Sequence, residues 1–200
     1  MRLIHLSVAS LLLIAGLTQA ALAQGQRYPT GREMQNLSQQ FKRKLPRLKN
    51  DPTGTYRDRR TPTERQQRET FVQSWARFDP AVATFLGGWT AIEESMLIYP
   101  SRTKGQVCII KTFIPGANDS GFAFTLGKVV RGQVQTGDRN ILIKQDAFLG
   151  SASVYNGKAG LYEYANPRPL QDPATVDYFQ RVPSIVSQFK QAGCTARLPR

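Results

Sequence analysis

The sequence predicts an α+β fold, a mainly antiparallel sheet or small β-barrel of about six strands, flanked by N-terminal helices and a C-terminal helix. Three observations predict it. Apolar residues recur at helical spacing before residue 86 and again after residue 172, and between these stretches they alternate every second residue. Turn formers, Asn156-Gly157 above all, punctuate the alternating stretch. The length of 200 residues suits one domain with a real core rather than two.

The first element is expected to be removed. Residues 1–23 carry a positive start, Met1-Arg2, an apolar run through Leu11-Leu12-Leu13-Ile14-Ala15, and the small-residue site Ala21-Leu22-Ala23. These are the three parts of a secretory signal peptide. Every later apolar stretch is broken by Lys, Arg, Glu or Gln well short of the roughly 20 residues of a membrane helix, so no transmembrane segment is expected after processing. The expected location is the periplasm, an equivalent lumen, or the extracellular space.

Residues 24–60 read as a basic, largely flexible arm, punctuated by Pro29, Gly31, Pro46, Pro52 and Gly54. Within it, Thr30 followed three residues later by Glu33 fits a capping box, and Met34, Leu37, Phe41 and Leu45 form one apolar stripe. The helix they predict either docks on the domain, stays disordered, or lies on an anionic surface through Lys42, Arg43 and Lys44, with Arg47, Arg59 and Arg60 as further anion-binding candidates.

A single globular domain is expected over 61–200. Its helices, within 61–86, begin at Thr61, whose capping box is completed by Glu64 with Pro62 at the first helical position. Phe71, Val72, Trp75 and Phe78 form the stripe, and Asp79-Pro80 starts a short further helix ended by Gly87-Gly88. The β-rich core spans 89–167. There Val107, Ile109 and Phe113 share one strand face, as do Phe122, Phe124 and Leu126, and then Ile141 and Ile143. Asn156-Gly157 predicts a hairpin, because that pair takes positive φ readily. In the helical segment 172–193, Asp172-Pro173 repeats the cap pattern, and Pro183 predicts a kink or two short helices.

Composition narrows the chemistry. The only histidine, His5, lies in the segment to be removed, which excludes histidine ligands and Ser-His or Cys-His pairs from the mature chain. Two cysteines without histidine predict no metal site and no cofactor attachment. Cys108 and Cys194 instead suit a disulfide in an oxidising compartment, with two buried thiols as the alternative. Ser101-Arg-Thr-Lys104 fits a Ser-x-x-Lys pattern, but Tyr99-Pro100 before it and Gly105 after it read as a turn. Glu93 and Glu94, as neighbours on a strand, are expected to face opposite sides.

Gly87-Gly88-Trp89 resembles the Gly-x-Trp signature of the lipocalins. A preceding short helix, a following series of strands, a late helix and a disulfide fit that family in outline from Phe85 to Gly193. The resemblance implies a barrel holding a small apolar ligand. Lipocalins also have eight strands and a Thr-Asp-Tyr motif between later strands, whereas here Thr175-Val-Asp-Tyr178 carries an insertion inside a predicted helix. Trp89, Phe122, Phe124 and Tyr162 are the candidates for lining a ligand pocket in the sheet interior.

The chain carries 27 Lys and Arg against 14 Asp and Glu, a net charge of +13. That excess favours an anionic neighbour such as an envelope polymer or lipid surface, and export disfavours nucleic acid. The expected role is an exported, non-enzymatic binding or accessory protein of the cell envelope. The rivals are a hydrolase of envelope material and a lipocalin-like carrier.

Overall fold

A computed structural model describes residues 27–115 and 121–199; the expected signal peptide lies outside them. Eight antiparallel strands follow one another around a closed barrel: β1 (Gly87–Thr90), β2 (Glu94–Pro100), β3 (Gln106–Phe113), β4 (Phe122–Val130), β5 (Gln133–Thr136), β6 (Ile141–Gln145), β7 (Phe148–Tyr155) and β8 (Lys158–Arg168). The count of about six is therefore corrected to eight. The additional strands are short, β1 and β5 having four residues each, and Gln133-Val134-Gln135-Thr136 offers a single apolar side chain. Closure comes from β8 pairing with β1, Gly88 opposite Arg168 and Thr90 opposite Ala165, with a register shift between them. At the β7–β8 hairpin, Asn156 (φ 48°) and Gly157 (φ 73°) take the positive φ that their types allow.

Strand register sorts the side chains. Trp89, Met96, Ile98, Val107, Ile109, Val134, Leu142 and Leu149 are fully buried in one cluster, which fills one half of the barrel. The helices α2 (Pro62–Phe78) and α3 (Pro80–Ala83) plug that end, adding Trp75, Val82, Phe85 and Leu86 to the same cluster. Three polar contacts hold the plug. The Trp89 indole donates to the Phe85 carbonyl at 2.7 Å, and the Arg68 guanidinium donates to the Leu86 carbonyl at 2.9 Å while lying 5.9 Å over the Trp89 ring. Asp79 accepts from the Gly105 amide at 2.6 Å instead of capping α3.

Both outer walls of the barrel are also apolar, because helices cover them. The predicted capping box starts α1 (Gly31–Lys49), the Thr30 hydroxyl accepting from the Glu33 amide and Glu33 answering on the Thr30 amide. Met34, Leu37, Phe41 and Leu48 of this helix pack on Ile141, Ile143, Phe148, Ala152 and Ala165. Phe41 is fully buried, and it fits because position 150 is glycine: a Cβ there would meet Phe41 Cε1 at 3.2 Å. The middle of the segment read as a largely flexible arm is thus helical and docked.

On the opposite wall, a 3₁₀ turn (Pro173–Thr175), α4 (Asp177–Gln180) and α5 (Pro183–Gln191) cover Tyr99, Cys108, Ile110, Phe122 and Phe124. Pro183 separates the two short helices, as its missing N–H predicts. The Cys108 to Cys194 disulfide, with Cα atoms 6.0 Å apart, ties this layer to β3. No helix among the described residues is long and apolar enough to cross a membrane.

Candidate functional site

With one end plugged, the other forms a mouth ringed by the β1–β2 and β5–β6 turns, the β7–β8 hairpin, and the end of β3 with the start of β4. The residues facing inward at this level include the small or polar Thr125 on β4, Thr136 on β5, Ser151 and Ser153 on β7, and Gly160 on β8, beside the rings of Phe113 and Tyr162. Deeper apolar residues are replaced here by two polar pairs. Lys111, reaching inward from β3, bonds Asp138 at 2.6 Å, and Asp138 also accepts from the Thr136 hydroxyl. Burial raises the Asp138 carboxyl, but the Lys111 ammonium and the Thr136 hydroxyl overcome this and hold it below its ordinary value.

The second pair is a Tyr164 hydroxyl donating to Glu94. Burial, and then the Glu94 charge, push the Tyr164 phenol far above its ordinary value, so it stays a donor. Tyr162 stacks edge-on against Tyr164 with ring centroids 5.4 Å apart and lies closer to solvent, 38% exposed. Burial raises its phenol as well, with the Glu94 and Glu93 charges contributing.

A cleft of about 300 Å³ opens at this rim, lined by Glu93, Glu94, Phe113, Ile114 and Tyr162. The expectation that Glu93 and Glu94 diverge is corrected. Glu93 belongs to the turn and only Glu94 to β2, so strand alternation does not govern the pair and both line one cleft. Glu93 makes no ion pair among the described residues. The site therefore joins two carboxylates to two aromatic rings.

The sequence candidates separate in space. Trp89 lies in the packed half of the interior and Tyr162 at the mouth. Phe122 and Phe124 face outward, since they pair with Thr112 and Ile110 and pack beneath the C-terminal helices. Phe122 lines a different space, an outer groove of about 650 Å³ between α2 and α4 whose floor includes Thr90, Ser95, Leu97 and Thr112. Glu93, Glu94, Phe113 and Ile114 are cleft residues absent from the pocket candidates; the signals for them in the sequence are the adjacent Glu93-Glu94 carboxylates and the face that Phe113 shares with Val107 and Ile109.

The remaining candidates for chemistry are engaged elsewhere. Ser101 donates to the Ala192 carbonyl at 3.3 Å and accepts from the Thr103 amide and Gln106, while the Lys104 ammonium sits 5.4 Å over the Phe78 ring. Glu163 on the outer wall bonds Lys44 at 2.5 Å, and Asp146 in the β6–β7 turn bonds Lys49 at 2.9 Å. Of the basic candidates, Lys44 is thus ion-paired and Arg60 bonds Asp58 at 2.8 Å, whereas Lys42, Arg43, Arg47 and Arg59 are exposed. No family model, curated protein or solved structure matches the chain.

Proposed function

We propose that this chain is an exported, non-enzymatic binding protein of the cell envelope that holds a small organic cation at the barrel mouth. The observation carrying this reading is the rim cleft, where Glu93 and Glu94 meet the Phe113 and Tyr162 rings around one space. An ammonium gains from ring faces and carboxylates at once, and a cation on an apolar body matches Ile114 as well. The site is also negative on a protein of net charge +13, so its sign is not a by-product of composition.

The same observations bear on the carrier reading. A ligand deep in the barrel would need the volume that Trp89, Met96, Ile98 and Leu142 fill. A carrier role is therefore best supported for a ligand seated at the rim rather than enclosed.

Calorimetric titration with choline and with its neutral isostere 3,3-dimethylbutan-1-ol tests the proposal. Choline is expected to bind, and Glu93→Gln, at an exposed carboxylate, or Tyr162→Leu, at an exposed ring, to weaken it about two- to fivefold. Absence of choline binding, or equal binding of the neutral isostere, overturns it.

A further inference from the structure

Between Arg27 and Arg60 the sequence holds ten Lys or Arg and three acids, and folding sorts them. Glu33 is taken by Arg27 at 2.7 Å and Asp58 by Arg60 at 2.8 Å. Asp51 turns onto the backbone amides of Thr53 and Tyr56. Lys44 reaches across to Glu163 of the barrel wall and Lys49 to Asp146 of the β6–β7 turn. What remains is Arg32, Lys42, Arg43, Arg47, Arg57 and Arg59, all exposed and without an ion pair among the described residues.

Their placement follows from how α1 docks. Burying Met34, Leu37, Phe41 and Leu48 fixes the rotation of the helix, so its opposite side must face solvent. Arg32, Arg43 and Arg47 then fall within about 60° of one another around the axis, along a helix about 28 Å long. Glu163 joins the next segment to this flank: its carboxylate bonds Lys44, and its carbonyl accepts at 3.4 Å from the hydroxyl of Tyr56, the residue before Arg57.

We propose that this flank binds a linear anionic polysaccharide whose carboxylates repeat along the chain. Charge complementarity selects a polyanion, and the extended row of cations suits a polymer better than a single headgroup. Five of the six cations are arginines, whose planar forks match carboxylates bidentately as they do phosphates, and the vesicle and DNA arms of the test below separate the two. A bilayer is disfavoured because the apolar side of α1 is spent on the barrel, and the exposed large apolar residues all lie outside 27–60. The flank and the mouth cleft share no residue, so the two proposals stand or fall separately.

Retention of the purified protein on immobilised polygalacturonate is measured at about 50 mM and about 300 mM salt, with phosphatidylglycerol vesicles and duplex DNA as the other arms. Binding to polygalacturonate is expected at the lower salt and release at the higher. The triple variant Arg32→Glu, Arg43→Glu, Arg47→Glu is expected to bind at least about tenfold more weakly. A control triple, Arg77→Glu, Arg181→Glu, Lys190→Glu, makes the same charge change elsewhere and is expected to bind as the unmodified protein does. Matching circular dichroism melts for the two triples separate loss of binding from loss of fold. No retention at low salt, equal weakening by both triples, or tighter binding to vesicles or DNA than to the polysaccharide overturns the proposal.

Discussion

Gly127 faces into the packed half of the barrel, where a Cβ would fall inside the contact radius of Val134 Cγ1 and 3.0 Å from Val107 Cγ2. Neither neighbour is the loose end of a long side chain, so Gly127→Ala is expected to cost about 1–3 kcal/mol in urea denaturation. Combined with Val134→Ala, which opens the space, the cost is expected to be less than the sum of the two single changes. At this scale the sequence was most legible where the physics is local. Thr30 and Thr61 cap helices through residues three positions away, and Asn156-Gly157 bends a hairpin by itself. Glu93 was misread for the complementary reason. Whether a residue belongs to a strand or to its turn is decided by pairing with a partner strand, which the residue alone does not encode.

At the scale of elements, alternation told which residues share a face but not which face is the interior. Val107 and Ile109 point inward, whereas Phe122, Phe124, Ile141 and Ile143 point outward under helices. An ordinary barrel wall is polar outside, but one roofed by α1 and α5 is apolar on both sides, so the two assignments look alike in sequence. Two connections between elements carry separate predictions. Arg68→Ala removes the hydrogen bonds to the Leu86 carbonyl and the cation over Trp89, and is expected to cost about 2–3 kcal/mol. Hydrogen exchange should accelerate in α2 and α3 ahead of α1 if the plug is the element released. Replacing Cys194 by Ala opens a link between residues separated by 86 positions. A loss of about 4 kcal/mol is expected from the larger entropy of the unfolded chain, read as a lower thermal midpoint that reductant no longer changes.

For the whole molecule, the pattern of charge predicts a pattern in pH. Hydrogen bonding to Arg27 holds the Glu33 carboxyl at about 2, and bonding to Arg60 does the same for Asp58. Asp146, bonded to Lys49, is also lowered. A carboxyl depressed by folding stabilises fully above its unfolded value, near 4, and loses that contribution as pH falls through its folded value. The thermal midpoint should therefore hold level from neutrality down to about pH 5 and fall between about pH 4 and pH 2. Because Arg27 and Glu33 lie at the surface, added salt should shrink their part of that slope. A midpoint that rises on acidification would contradict these ion pairs.

The ladder between β8 and β1 joins residues as distant as Gly88 and Arg168. A growing polypeptide consequently cannot seal the cylinder until β8 has emerged, however early the plug helices form. Such late closure makes folding depend on long-range loop closure. Once sealed, the eight described strands leave no unpaired border among them for a neighbouring chain to extend, so strand-to-strand association has little opportunity.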